Sequence, residues 1–224
     1  MDTRSPRAAP PGPSPSPRSW RDVRAVVFDV GETLVDETRQ WTQVAHEVGV
    51  TPLVLMAMLG VVTERAEPHH HVWQALGTDP PRTPVDILPE DLYPDALPTL
   101  DALRAAGYVV AVAGNQPARA EHQLRAAGVE VDLMATSARW GVAKPSPAFF
   151  ARVVTDLGVP ARDVLYVGDR IDNDVLPARA AGMRTAFVRR GPWGHVHAQR
   201  PDAALADVRV DSLRELTALL LGVR

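Results

Sequence analysis

The sequence predicts an α/β fold: a doubly wound, Rossmann-like parallel sheet with a small helical cap domain inserted after the first strand. Three observations carry that expectation. Short runs of residues that are apolar throughout recur along the chain, which suits strands covered on both faces. Helical patterns that close on a glycine separate these runs, the rhythm of βαβ units. Between Leu34 and Tyr93 the rhythm breaks, and helical patterns and a proline-marked loop fill the gap.

In chain order, residues 1–21 read as a disordered proline-rich tail. Pro6, Pro10, Pro11, Pro13, Pro15 and Pro17 alternate there with Ser, Ala and Arg, leaving no apolar face to bury. A short docking segment is the alternative use of such a stretch. Val26-Val27-Phe28 is the first strand. Trp41 to Val48, Leu53 to Glu64 and His71 to Leu76 are helical, and Pro80, Pro81, Pro84 and Pro89 mark a loop, so residues 37–92 form the cap. The core then comprises residues 22–36 and 93–224. Ala96 to Ala106 repeats Leu97, Leu100, Leu103 and Ala106 along one face and stops at Gly107. Strands follow at Tyr108–Ala113, Val131–Ala135, Val164–Val167 and Thr185–Val188, with a short one at Val208–Val210. The intervening helices run from Pro117 to Ala127, Pro147 to Leu157, Asp174 to Ala181 and Leu213 to Leu221, each followed by a glycine.

Composition narrows the function. At 224 residues the chain suits one large domain, or one carrying a smaller one. A net charge of −3 with no basic block argues against nucleic acid. There are no cysteines, which excludes disulfides, thiolate catalysis and zinc–thiolate sites. The apolar stretch Pro52–Val62 is too short to span a bilayer, and the N-terminus has no signal-peptide core. A cytoplasmic enzyme or binding protein, monomeric or homodimeric, is the expectation.

In a doubly wound sheet, ligands bind at the carboxyl ends of the strands. Strand one delivers Asp29, Gly31, Glu32 and Thr33 there, and strand two Gly114 and Asn115. Lys144-Pro145 follows strand three, and Gly168, Asp169, Asp172, Asn173 and Asp174 follow strand four. Asp29, Asp169 and Asp174 brought together make a like-charge cluster that a divalent cation would hold. Oxygen ligands without Cys or His suit Mg²⁺. A lysine beside them suits a phosphate, and an aspartate at a strand end suits attack on phosphorus.

These segments resemble the haloacid dehalogenase superfamily of hydrolases, in the subtype with a helical cap after the first motif. The carrying residues are Phe28-Asp29-Val30-Gly31-Glu32-Thr33-Leu34, Ala113-Gly114-Asn115, Ala143-Lys144-Pro145, and Gly168-Asp169 with Asn173-Asp174. They occur in the family's order over about residues 24–190. The resemblance implies that Asp29 is the nucleophile of a phosphatase acting on a small phosphorylated metabolite through an aspartyl-phosphate. It implies that Asp29, the Gly31 carbonyl, Asp169 and Asp174 hold Mg²⁺, Asp174 directly or through water. It also implies that Asn115 and the Gly114 amide bind the phosphoryl group, that Lys144 neutralises it, and that Thr33 fixes the loop.

Two residues depart from the family pattern. Gly31 stands where the phosphatases carry a second aspartate that protonates the leaving oxygen and activates water, and Gly114 stands where a Ser or Thr hydroxyl is usual. Glu32 is the candidate substitute acid. Neighbouring positions in an extended segment face opposite ways, so Glu32 pointing elsewhere stays open. Two further readings therefore stand beside the phosphatase: a binding or regulatory protein with weak or lost turnover, and a 2-haloacid dehalogenase-like C–X hydrolase. Asp172 reads as a solvated loop carboxylate, and Asp174 also suits the opening of a helix. His69-His70-His71 is a poor chelate, because consecutive helical side chains diverge, and reads as a solvated or substrate-facing cap segment. Trp41, Trp73, Met56 and Met58 read as cap packing. Pro192-Trp193-Gly194-His195 either borders the site or makes a surface turn.

Overall fold

The computed structural model describes residues 20–223. The tail assigned to residues 1–21 therefore falls largely outside the described residues. Its last two positions do not: Trp20–Asp22 forms a helical turn. Trp20 packs on the core and lies 5.9 Å from the Arg184 guanidinium, so the tail boundary drawn at residue 21 is too late.

Six parallel strands form one sheet in the order β3-β2-β1-β4-β5-β6. They are β1 (Ala25–Phe28), β2 (Val109–Gly114), β3 (Leu133–Thr136), β4 (Val164–Gly168), β5 (Arg184–Val188) and β6 (Val208–Val210). The chain winds outward from β1 to β3, then returns to place β4 on the other side of β1. That reversal opens a crevice at the carboxyl ends of β1 and β4. Phe28 is in register with both Val112 and Val167, so Asp29 emerges level with the ends of β2 and β4.

Each central strand is buried on both faces, which explains why its sequence is a continuous apolar run rather than an alternating one. One face carries Val26, Phe28, Val110, Val112, Leu165 and Val167. Against it pack α4 (Ala96–Ala105), α5 (Arg119–Ala126) and α10 (Leu213–Leu221). The other face carries Val27, Ala111, Ala113 and Tyr166. It is covered by Phe149, Phe150 and Val153 of α7 (Pro147–Leu157) and Ala178 of α8 (Leu176–Ala180). The small residues on β2 leave room for these aromatic rings. Cutting Phe149 to Ala is expected to cost about 3–5 kcal/mol, read from a urea denaturation midpoint.

The cap helices are α1 (Thr38–Glu47), α2 (Pro52–Glu64) and α3 (His71–Leu76). Ala45, Leu55, Leu59, Val62 and Val72 form their core, but Trp193 of α9 (Gly191–His197) completes it. Three short helices offer too little apolar surface to close a core alone. The chain enters and leaves the cap side by side. Val35 bridges Leu92, Asp36 N–H donates to the Asp91 carbonyl at 2.7 Å, and Arg39 clasps the Asp91 carboxylate at 2.6 and 2.8 Å. No single helix among the described residues is long and apolar enough to cross a membrane.

Three local departures from the sequence reading have physical causes. β3 begins at Leu133 rather than Val131, because the Asp132 carboxylate takes the Val110 N–H at 2.8 Å and the strand-to-strand register starts at Leu133 beside Ala111. The helix expected from Asp174 begins at Leu176, after a wide turn over Ile171–Val175; Asp174 folds back to accept the Arg170 N–H at 3.0 Å. Pro192-Trp193-Gly194-His195, for which a surface turn is one of the two readings, lies instead within α9, with Pro192 in the first turn, where its missing N–H costs nothing. A short helix, α6 (Ser137–Trp140), follows β3 and was not expected.

Candidate active site

The crevice at the end of β1 is built around one buried cation. Lys144 Nζ lies 2.8 Å from Asp29 Oδ1 and 2.6 Å from Asp174 Oδ1. Burial alone would push the ammonium toward neutrality, but Asp174 and Asp29 more than offset this and hold it well above its ordinary value. The Tyr166 ring lies 5.5 Å below Nζ, and its hydroxyl donates to the Ala113 carbonyl at 2.7 Å. Asn115 fixes the lysine from behind: its Nδ2 donates to the Lys144 carbonyl at 2.9 Å, and its Oδ1 accepts the Lys144 N–H at 2.8 Å.

Asp29, Asp169 and Asp174 each present an oxygen within 4.8 Å of the others, all three buried. Burial, then Asp174 and Asp29, pushes the Asp169 carboxyl well above the carboxylate range. Asp169 Oδ2 is buried with no hydrogen-bond partner. An orphaned oxygen inside an all-carboxylate cluster is the environment a hard divalent cation satisfies, so these residues fit Mg²⁺. Gly168 makes the cluster possible, since a Cβ there would lie 2.7 Å from Asp174 Cβ.

The loop after β1 folds tightly on itself. The Val30 carbonyl accepts N–H groups from Thr33, Leu34 and Val35, and Glu32 adopts the left-handed region at φ 51°. Glu32 is buried and already engaged: Oε2 accepts the Tyr93 hydroxyl at 2.6 Å, and Oε1 accepts the Glu37 N–H at 3.2 Å. Burial raises its carboxyl above the usual value. The Thr33 carbonyl accepts Arg190 Nη1 at 2.9 Å, while the same guanidinium pairs with Asp95 and stacks 4.2 Å over Tyr93. The Thr33 hydroxyl is buried without a partner.

Asp29, Gly31, Glu32, Asn115, Lys144 and Asp169 line one cavity of about 190 Å³, whereas Asp174 lies behind Lys144. Neither Thr33 nor Gly114 lines it. A Cβ at Gly114 would sit 2.5 Å from Asp29 Oδ1, so the absence of a side chain there makes room for the Asp29 carboxylate.

Of the further residues that line the cavity, Glu37 is passed over in the sequence, Trp41 reads there as cap packing, His69 as part of a solvated or substrate-facing segment, and Trp193 as either bordering the site or making a surface turn. Glu37 and Trp41 enter from the start of α1, His69 from the loop before α3, and Trp193 from α9. Glu37 is half-buried, and its enclosure, with Glu32 and Asp29 nearby, pushes its carboxyl up to about 8. Trp41 and Trp193 are both cap packing and cavity wall, with ring centroids 6.1 Å apart. His69 lies edge-on to Trp193, and burial lowers its imidazole. Asp172 pairs with Arg170 at 2.7 Å and is about half exposed. The only available signal for Glu37 was its place at the hinge between core and cap.

The wide turn bearing Asp174 is pinned by His197, whose Nδ1 accepts the Ile171 N–H at 3.1 Å. Burial lowers that imidazole to about 4, against the pull of Asp172. With the folded value below the unfolded one, the stabilisation is full above about pH 6.5 and is lost as pH falls toward 4. The stability gap between the wild type and His197→Gln, measured by urea unfolding, is expected to narrow over that window.

A parallel α/β sheet carrying a carboxylate cluster and a buried lysine at its switch point defines a class of hydrolase. The family model of the haloacid dehalogenase-like hydrolases matches residues 23–182, and the chain belongs to that family. It is similar to a glyceraldehyde 3-phosphate phosphatase of Methanopyrus kandleri, at 29% identity over 87% of this chain and 95% of that protein. It is also similar to a phosphoserine phosphatase of Thermus thermophilus, at 34% identity over 56% of this chain and 49% of that protein. Among solved structures, an L-2-haloacid dehalogenase from Xanthobacter autotrophicus shares the fold. Its TM-score is 0.66, at 21% identity over 90% of this chain and 100% of that one.

Proposed function

We propose that the protein is a Mg²⁺-dependent phosphatase that transfers the phosphoryl group of a small phosphorylated metabolite to Asp29 and then to water. The observation that carries this reading is Lys144 Nζ held between Asp29 and Asp174, beside the unsatisfied Asp169 oxygen. Lys144 withdraws one Asp29 oxygen and orients the other toward the cavity as nucleophile. Its charge also meets the negative phosphoryl oxygens. Asn115 keeps the lysine in place and has an N–H bond left for the phosphoryl group. Asp29, Asp169, Asp174 and the Gly31 carbonyl would hold Mg²⁺, which when bound supplies charge neutralisation at the transferring group. The small cavity suits a short substrate, and the Methanopyrus relative makes glyceraldehyde 3-phosphate the first compound to try.

The test is phosphate release from a panel holding glyceraldehyde 3-phosphate, phosphoserine, acetyl phosphate and p-nitrophenyl phosphate. Release is expected with Mg²⁺, and chelation with EDTA is expected to stop it reversibly. Halide release from 2-haloacids in EDTA, with no phosphate release in Mg²⁺, would replace this reading with C–X hydrolysis.

A further inference from the structure

Phosphoester hydrolysis through Asp29 needs a proton twice. The departing alkoxide must receive one, and the water that attacks the aspartyl-phosphate must surrender one. Gly31 has no side chain for either task. The space its side chain would fill is nevertheless occupied by a carboxyl group. A Cβ built on Gly31 falls on the Glu37 carboxylate, 2.8 Å from its Cδ and nearer still to Oε1. Glu37 caps the N-terminus of α1, six residues along the chain, and its side chain returns across the loop to the β1 end.

The other candidates on and behind the cavity wall are spoken for. Asp29 is the proposed nucleophile, and Asp169 belongs to the cation cluster. Asp174 is pinned by Lys144, and Glu32 is held by Tyr93 and the Glu37 N–H. The His69 ring packs edge-on against Trp193 and His70. Glu37 instead has one oxygen fixed by the Trp41 indole N–H at 3.1 Å and the other standing beside Gly31. Glu32 also gains a role here: by gripping the Glu37 N–H it sets the turn that aims this carboxyl.

Resting on the phosphatase reading, we infer that Glu37 is the general acid and base of the reaction, supplied from the cap hinge in place of a side chain at residue 31. In the first step an Asp29 oxygen bonds to phosphorus, the bond from phosphorus to the ester oxygen breaks, and Glu37 gives its proton to that oxygen, releasing the alcohol. In the second, Glu37 takes a proton from water, the water oxygen bonds to phosphorus, and the Asp29–phosphorus link breaks. Phosphate leaves, Asp29 is a carboxylate again, and Glu37 is re-protonated. Because Glu37 rides on the first cap helix, it couples proton transfer to the placement of the cap.

Acetyl phosphate separates the two steps, since its leaving group needs no proton. With Mg²⁺ and acetyl phosphate, Glu37→Gln is expected to form phospho-Asp29 yet hydrolyse it on the order of 10²–10⁴-fold more slowly than the wild type. Intact-protein mass spectrometry after quenching follows the decay. Gln can still accept the Trp41 N–H, so the wall is kept. A second arm begins with a readout that needs no turnover: Gly31→Asp should lower Tm by crowding Glu37. Adding Glu37→Gly should recover that Tm and bring phosphoenzyme hydrolysis back above that of Glu37→Gly alone. Decay of the Glu37→Gln phosphoenzyme at the wild-type rate, or an unchanged Tm in Gly31→Asp, overturns the assignment of Glu37 while leaving Asp29 as nucleophile. Failure of the wild type itself to become phosphorylated removes both.

Discussion

Asp29→Asn is expected to lower phosphatase turnover by at least about 10⁴-fold while leaving the fold intact, because it removes the nucleophile and little else. The amide is close in size to the carboxylate, and its Oδ1 can still accept Lys144 Nζ, which lies 2.8 Å from the acid in the parent. The Asp29 N–H bond to the Val167 carbonyl at 2.9 Å belongs to the backbone and is unaffected. Far-ultraviolet circular dichroism and Tm should therefore stay near wild type while phosphate release disappears. A fall in turnover of only a few-fold would mean that Asp29 does not carry the phosphoryl group.

Lys144→Met is expected to cost both stability and activity. The ammonium is fully buried and pairs with two carboxylates at once. Removing one partner of a buried ion pair typically costs about 3–5 kcal/mol, because the charges left behind are neither solvated nor paired. Here three buried carboxyl groups, Asp29, Asp169 and Asp174, would face one another without a cation. Taking up protons relieves part of that repulsion, so the loss should be smaller at low pH than at high pH. Mg²⁺ should narrow the gap further by meeting the same oxygens. Urea unfolding of the wild type and Lys144→Met, in EDTA and in Mg²⁺, checks all three statements. Even with Mg²⁺ present, turnover should be down by roughly 10²–10³-fold, the scale for losing one preorganised charge contact to the transition state.

Much of this fold was legible because parallel strands buried on both faces leave continuous apolar runs. Val26–Phe28 and Val164–Val167 lie inside β1 and β4, and the glycine-terminated helices fall close to their expected positions. Boundaries moved where a polar side chain overrode the pattern, as Asp132 does before β3 and Asp174 does before α8. The strand ends announced the carboxylates and the lysine, since chemistry at the edge of such a sheet must come from the residues that follow each strand. The partners of those residues were not legible. Glu32 stands beside the gap at Gly31 in sequence, yet a left-handed turn hands it to Tyr93, sixty-one residues away. Glu37 fills the gap through a loop closure that no periodicity records. For Trp193 the sequence left a site border and a surface turn both open; it borders the cavity, but its second place in the cap core was not legible.

The most direct measurement of phosphoryl transfer at Asp29 is a single-turnover quench with ³²P-labelled acetyl phosphate, followed by peptide mapping. Label is expected on the peptide containing Asp29 when Mg²⁺ is present. It should be released by hydroxylamine, as an acyl phosphate is, and be absent in EDTA and in Asp29→Asn. Phosphate release by the wild type with no label on that peptide, or label that survives in Asp29→Asn, would contradict Asp29 as the phosphoryl acceptor.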